Sequence, residues 1–235
     1  MNMKKKIATL GLVAAMLLTS AGATLAYFTD TDAKTNTFTA GKVDITLNEV
    51  FDDKAKLVPG VDINKDVTIT LNTGSEESWV WYTYAIPAAV DAPDSLEDSI
   101  NNIVHINHAG KNWLGFQNNQ KYWDEDQTEA TPEDQCWIPD YDCKQGVEIE
   151  GAEYNVYSVL YNGTLTAGEE TTIGMTKVYL DTKVDYKDGK YVVNGKEIGM
   201  DLNNVKIIVN AYAIQAAGLN TVQEAYAAYN AQFTA

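Results

Sequence analysis

Hydrophobic and polar positions alternate cleanly in two places near the start of the chain. Val43, Ile45 and Leu47 alternate with Asp44, Thr46 and Asn48, and Val67, Ile69 and Leu71 alternate with Thr68, Thr70 and Asn72. A period of two gives a strand with one dry and one wet face. Between them Leu57-Val58-Pro59-Gly60 is turn chemistry, because Pro fixes φ and Gly permits the reversal. Asn72-Thr73-Gly74-Ser75 closes the second strand. Ser78 to Ala88, "SWVWYTYAIPA", is a dense aromatic and β-branched run that predicts a central strand stopped by Pro87. Further strands are predicted over Glu153–Leu165, Thr171–Val184 and Val205–Ala217. Asp188-Gly189 and Asn194-Gly195 mark two hairpins. Thr221 with Glu224 forms a capping box ahead of "AYAAYNA", so the chain ends in a short helix.

Two regions lack this alternation. Residues 91–151 read as an insertion, with a short helix expected at "SLEDSINNI" and the acidic run Asp124-Glu125-Asp126, Glu129, Glu133 and Asp134. The first 26 residues read as a secretory signal peptide: Lys4, Lys5 and Lys6, then an apolar Ile7–Leu18, then small residues ending Thr24-Leu25-Ala26. Cleavage is expected between Ala26 and Tyr27. The apolar segment is short for a membrane span, and an uncleaved anchor is the alternative. Many short strands with little helix predict an all-β, jelly-roll-like sandwich. The expected organisation is therefore a leader (1–26), an N-terminal segment (27–40) and one sandwich domain (41–235).

Charge narrows the partners. The chain has 235 residues and a formal net charge of −16, and its leader carries three lysines and no acid, so cleavage makes it more acidic still. Such a surface repels nucleic acid and anionic membranes. Membrane contact is expected only through an uncleaved leader. No arginine occurs anywhere, which removes bidentate guanidinium capture of phosphate or carboxylate.

Candidate chemistry is sparse. Cys136 and Cys143 are the only cysteines, and an oxidising compartment predicts a disulfide between them, with a short loop worth roughly 2–3 kcal/mol. Six residues separate them, too many for a redox pair, and a zinc site needs two more ligands. His105 and His108 in "VHINHAG" are weak metal candidates: zincin chemistry needs His-Glu-x-x-His on a helix, and Ile106 and Asn107 stand between them. Trp79, Trp81, Tyr82 and Tyr84 could stack sugars, but in a sandwich such residues read first as core on one face and sheet cover on the other. The acidic run lacks the spacing and central Gly of a calcium loop and reads as solvated. Asn162-Gly163-Thr164 is a glycosylation sequon. No nucleophile–base pair or phosphate loop is recognisable, so neither enzymatic activity nor a cofactor is expected.

The junction "AYFTDTDAKTNTFTAGKVDITLNE" resembles the N-terminal signature of the TasA and camelysin family, whose export uses a dedicated SipW-type signal peptidase. The matching pieces are Ala26-Tyr27-Phe28, Asp30, Asn36-Thr37-Phe38-Thr39-Ala40-Gly41 and Val43-Asp44-Ile45-Thr46-Leu47. Leu57-Val58-Pro59-Gly60 and Asn72-Thr73-Gly74-Ser75 match two family turns, and Leu165-Thr166-Ala167-Gly168 looks like a repeat of one. The resemblance implies a secreted jelly-roll subunit of biofilm matrix fibres, located in the matrix or at the cell surface, with copies of itself as partners. Camelysin-like members are classed as cell-surface metallopeptidases, which is the alternative function.

The residues themselves bear on the fibre reading. Extended, Tyr27–Thr39 places Tyr27, Thr29, Thr31, Ala33, Thr35 and Thr37 on one face, and Phe28, Asp30, Asp32, Lys34, Asn36 and Phe38 on the other. One face is aromatic, small and β-branched; the other is charged in its middle. No Pro or Gly interrupts it before Gly41. A strand of about 40 Å can donate main-chain hydrogen bonds to another subunit's sheet, so these residues are candidates for a donor strand. Pairing within its own subunit, or a disordered tail, is the alternative.

Overall fold

The computed structural model describes residues 42–52, 55–93, 102–114 and 131–233. The strands are β1 (Ile45–Phe51), β2 (Ile63–Leu71), β3 (Ser78–Pro87), β4 (Val104–His108), β5 (Trp137–Ile149), β6 (Ala152–Leu165), β7 (Met175–Leu180), β8 (Val184–Lys187), β9 (Lys190–Val193), β10 (Lys196–Glu197) and β11 (Ile208–Gln215). Among the described residues one α-helix, α1, spans Val222–Ala231. Two four-stranded sheets, ordered β1-β2-β7-β4 and β11-β3-β6-β5, carry the fold, and β8–β10 form a small meander. The paired strands are antiparallel throughout. The expected all-β architecture is what the chain adopts.

The alternation read from the sequence sets the core. Val67, Ile69 and Leu71 of β2 are fully buried, while Thr68 and Thr70 between them face outward and are half-buried. They meet Val80, Tyr82, Tyr84 and Ile86 of β3, and Val159 and Tyr161 of β6, in one main cluster. Gly60 opens the β2 side of the turn at φ +73°, where a Cβ would also stand 2.9 Å from Thr182 Cγ2; its N–H donates to the Leu180 carbonyl at 2.8 Å. The turn thus ties the β1–β2 connection to β7, and only glycine fits there.

β3 is apolar on both faces because both are covered. Trp79 and Trp81 point away from the main core and pack with Leu160, Val222, Ala225 and Tyr226 under α1. The Trp81 ring stacks on Tyr212 (centroids 5.9 Å) and meets Tyr226 and Tyr229 edge-on. Burying a Trp of this size contributes on the order of 4–6 kcal/mol before entropy costs. The helix begins as expected: Glu224 N–H donates to Thr221 Oγ1 at 3.2 Å, and the Glu224 carboxylate accepts from the Asn220 N–H at 2.9 Å. The reciprocal arm of the box therefore lands one residue earlier than the cap itself.

Both hairpins form at the expected dipeptides, with Asp188, Gly189, Asn194 and Gly195 all at positive φ. The expected strand over Thr171–Val184 is shorter. Residues 171–174 instead run irregularly beside β2, with Thr171 N–H on the Ile69 carbonyl and Gly174 N–H on the Val67 carbonyl, before β7 starts.

The insertion reading of residues 91–151 needs correction. This stretch supplies β4 and β5, one strand to each main sheet. β4 has only five residues, too few to display a period. β5 pairs with β6 but slips register between Ile138 and Asp142 and again between Lys144 and Val147, so its alternation is broken. The expected helix at Ser95–Ile103 lies almost wholly outside the described residues, as does most of the acidic run; Glu133 and Asp134 sit in a 3-10 turn, Glu133–Gln135.

Candidate functional site

Each candidate group has a definite place. Cys136 precedes β5 and Cys143 lies within it, and neither takes part in a disulfide. The expected disulfide is not formed. The Cys136 carbonyl accepts from Asn162 N–H while Cys143 pairs with Tyr157, so the two cysteines stand five residues apart along β6, on the order of 16 Å. A disulfide needs Cα atoms within about 7 Å. Cys136 is buried, and burial, helped by Glu133 and Asp134, pushes its thiol pKa up.

The aromatic run is interior. Trp79, Trp81, Tyr82 and Tyr84 are all buried, so none offers a flat exposed ring to a sugar. The expected split between core and sheet cover is what they show.

The two histidines share β4 but not a site. A register slip separates Asn107 from His108. His105 Nε2 lies 3.0 Å from Asp181 Oδ2, with its ring against Tyr179. Partial burial works upward on Asp181, but the Lys183 backbone N–H, His105 and the Lys183 ammonium together hold its carboxyl below the usual range. His108 lies among rings, 4.0 Å from Trp113 and 6.2 Å from Tyr84, and its Nδ1 meets no hydrogen-bond partner among the described residues. Burial pushes its pKa down to about 3, so it is neutral at ordinary pH. Among the described residues no group of three or more His, Cys, Asp or Glu could hold a metal ion.

One polar cluster escaped sequence reasoning. Asp91, buried after β3, accepts from Asn155 Nδ2 and the Tyr157 hydroxyl, both at 2.8 Å. Burial raises the Asp91 pKa, and burial together with the Asp91 carboxylate raises that of Tyr157. The Cys143 thiol lies against the same hydroxyl. A residue pair 66 apart in sequence leaves no local signal. A lone carboxyl locked to an amide and a phenol is structural chemistry: it joins the end of β3 to β6.

The accessible backbone is at the sheet edges. Among the described residues β1 pairs only with β2, and β11 only with β3. The segment ahead of Val43, with Ala26, Tyr27, Phe28, Thr29, Thr31, Ala33, Thr35, Thr37 and Phe38, lies outside the described residues but leads directly into β1. Among the described residues no helix is long and apolar enough to cross a membrane.

The class these features define is an antiparallel β-sandwich whose two main sheets end in β1 and β4 and in β11 and β5, with no cluster of metal ligands among its described residues. The family model of the camelysin metallo-endopeptidases matches residues 2–79, from the leader to the start of β3, in agreement with the TasA and camelysin resemblance carried by that stretch. Searching the curated proteins gives no match. The matched residues contain no histidine and no cysteine; His105, His108, Cys136 and Cys143 all lie beyond them.

Proposed function

We propose that this chain is a secreted structural subunit of extracellular matrix fibres or pili, assembled from copies of itself. A SipW-type peptidase cuts after Ala26, and Tyr27–Thr39 of one copy adds as a strand to the sheet of the next. The supporting observation is the position of β1: the strand that the N-terminal segment leads into stands at the edge of its sheet, paired on one side only among the described residues. Edge strands carry unpaired N–H and C=O groups, and strand addition satisfies them. On this reading the chain is not an enzyme and works in the matrix or at the cell surface. Deleting Tyr27–Phe38 should leave a folded monomer, by circular dichroism, and abolish fibres, by electron microscopy. Long fibres from the truncated protein would sink the idea.

The family's name favours a second reading, a cell-surface metallopeptidase. Zinc content and casein cleavage, measured on the mature protein and on His105→Ala, decide it. Zinc-dependent cleavage lost in the variant would reverse the ranking.

A further inference from the structure

The two sides of the sandwich are not closed alike. β1 and β11 are edges of different sheets, and they approach within 8 Å, Cα to Cα. Val43 and, on β1, Ile45 and Leu47 join the main core together with Val209, Ala211 and Ala213 of β11, yet all six are only partly buried. On the other side β4 is also an edge, but its Val104 and Ile106 are 1% and 8% exposed. Edge position alone therefore does not explain the difference. At the far end of β1, Phe51 points to the inner face opposite Lys65 and is still 47% exposed.

The side chains along this seam are graded by size. β3 turns Val80, Tyr82 and Tyr84 inward; beside it, β11 offers Ala213, Ala211 and Val209. Stacked sheets normally stand about 10 Å apart. Where β1 and β11 close to less than that, Ala211 and Ala213 of β11 keep its side small opposite the Val43, Ile45 and Leu47 side. The seam is thus apolar, lined on one side by alanine, and bordered by a strand whose outer edge is unpaired among the described residues. The edge of β5 differs, since Lys144, Gln145 and Glu148 there are exposed and polar.

We propose that the β1/β11 seam is the acceptor, and that residues 27–38 of a second copy add to the free edge of β11. This rests on the fibre reading above. The face turned inward is Tyr27, Thr29, Thr31, Ala33, Thr35 and Thr37: past Tyr27 at its tip it has the small size that the alanines of β11 leave room for, while the face of Phe28, Asp30, Asp32, Lys34, Asn36 and Phe38 looks away. Twelve residues exceed the eight of β11, so the added strand covers it whole and leaves Thr39 to Asp44 as the connector to the donor's own β1. The intramolecular rival is a hairpin in which the segment folds back along its own β1, and the test separates the two.

The mature chain, Tyr27–Ala235, is compared as monomer and fibre by hydrogen exchange, and its elongation is followed for Ala33→Trp and Lys34→Trp. The proposal expects residues 27–38 and 208–215 to gain protection together on polymerisation. It expects Ala33→Trp to slow elongation roughly tenfold or more, since an indole overfills the seam, and Lys34→Trp to elongate nearly as the parent does. Both positions precede the described domain, so monomer stability is a control for each. Protection of 27–38 together with β4, β5 or β1 in place of β11 overturns the acceptor and leaves the donor reading standing. Equal effects of the two tryptophans overturn the choice of face. Fibres in which 27–38 gain no protection, or a monomer already protected there, overturn both the acceptor and the fibre reading it rests on.

Discussion

His108 should make this protein acid-sensitive by an amount that can be isolated. Its imidazole is buried among Trp113 and Tyr84, and burial lowers its pKa from the ordinary 6.5 to about 3. A base depressed in the folded state favours folding only while it stays neutral. The unfolded chain takes up the proton first, below pH 6.5, and the folded one resists until about pH 3. Stability is therefore lost as pH falls through that window. At one unit per 1.36 kcal/mol, the loss is about 2 kcal/mol at pH 5 and about 3 kcal/mol at pH 4. Every other titrating group acts in parallel, so the measurement is a difference. His108→Phe keeps a ring in the space, cannot be protonated, and removes the unpartnered Nδ1. Urea unfolding of parent and variant at pH 7.5, 6, 5 and 4 gives the comparison. The two should lie within about 1 kcal/mol at pH 7.5 and diverge below pH 6, with the parent's midpoint falling about 1 M further by pH 5. Parallel decline of the two proteins from pH 7.5 to pH 4 would refute the reasoning.

Three other outcomes follow from described contacts. Asp91 has a raised pKa in the folded state, so its contribution is complete below about pH 4 and declines as pH rises. Asp91→Asn keeps an acceptor for Asn155 and Tyr157, and its stability advantage over the parent should grow from pH 4 to pH 7; an advantage that shrinks over that range contradicts the burial argument. Gly174→Ala would place a Cβ 2.8 Å from Tyr82 Cε1 and 3.1 Å from Trp137 Cε2, inside a pair of rings packed edge-to-face, and should cost about 1–3 kcal/mol in denaturant unfolding. Thr221→Ala removes the side-chain cap of α1 and should cost about 1 kcal/mol, read as a lower thermal midpoint; an unchanged midpoint would mean that packing on Trp81 alone holds the helix.

What could be read from the sequence was local. The alternation of β2, the two-faced apolar run of β3, the hairpin dipeptides and the Thr221 cap each carry their signal within a few residues, and each is where the pattern put it. What could not be read was non-local. β5 is a full strand, but its register slips erase the period that identifies one. His105 and His108 look like a spaced pair, yet the register slip before His108 and the pull of Asp181 send them to different surroundings. Cysteine count and compartment argued for a disulfide, but both thiols are borne on one extended run of chain, which holds them apart. The seam between β1 and β11 depends on strand order, and strand order is set by pairings such as Tyr82 with Val159, far apart in the sequence.

The cover over Trp79 and Trp81 has a bearing on when the protein can fold. Besides Leu160 and Ile138 on the neighbouring strands, it is made by α1 and β11, the last elements of the described chain, while β3 comes early. During synthesis the most apolar strand is present long before anything can shelter its second face. That second face can be covered in full only once the C-terminal end has been made. That timing would suit the export proposed above. It also means that a nick or truncation ahead of Val222 bares two indoles at once, turning a loss at the tail into an insoluble molecule.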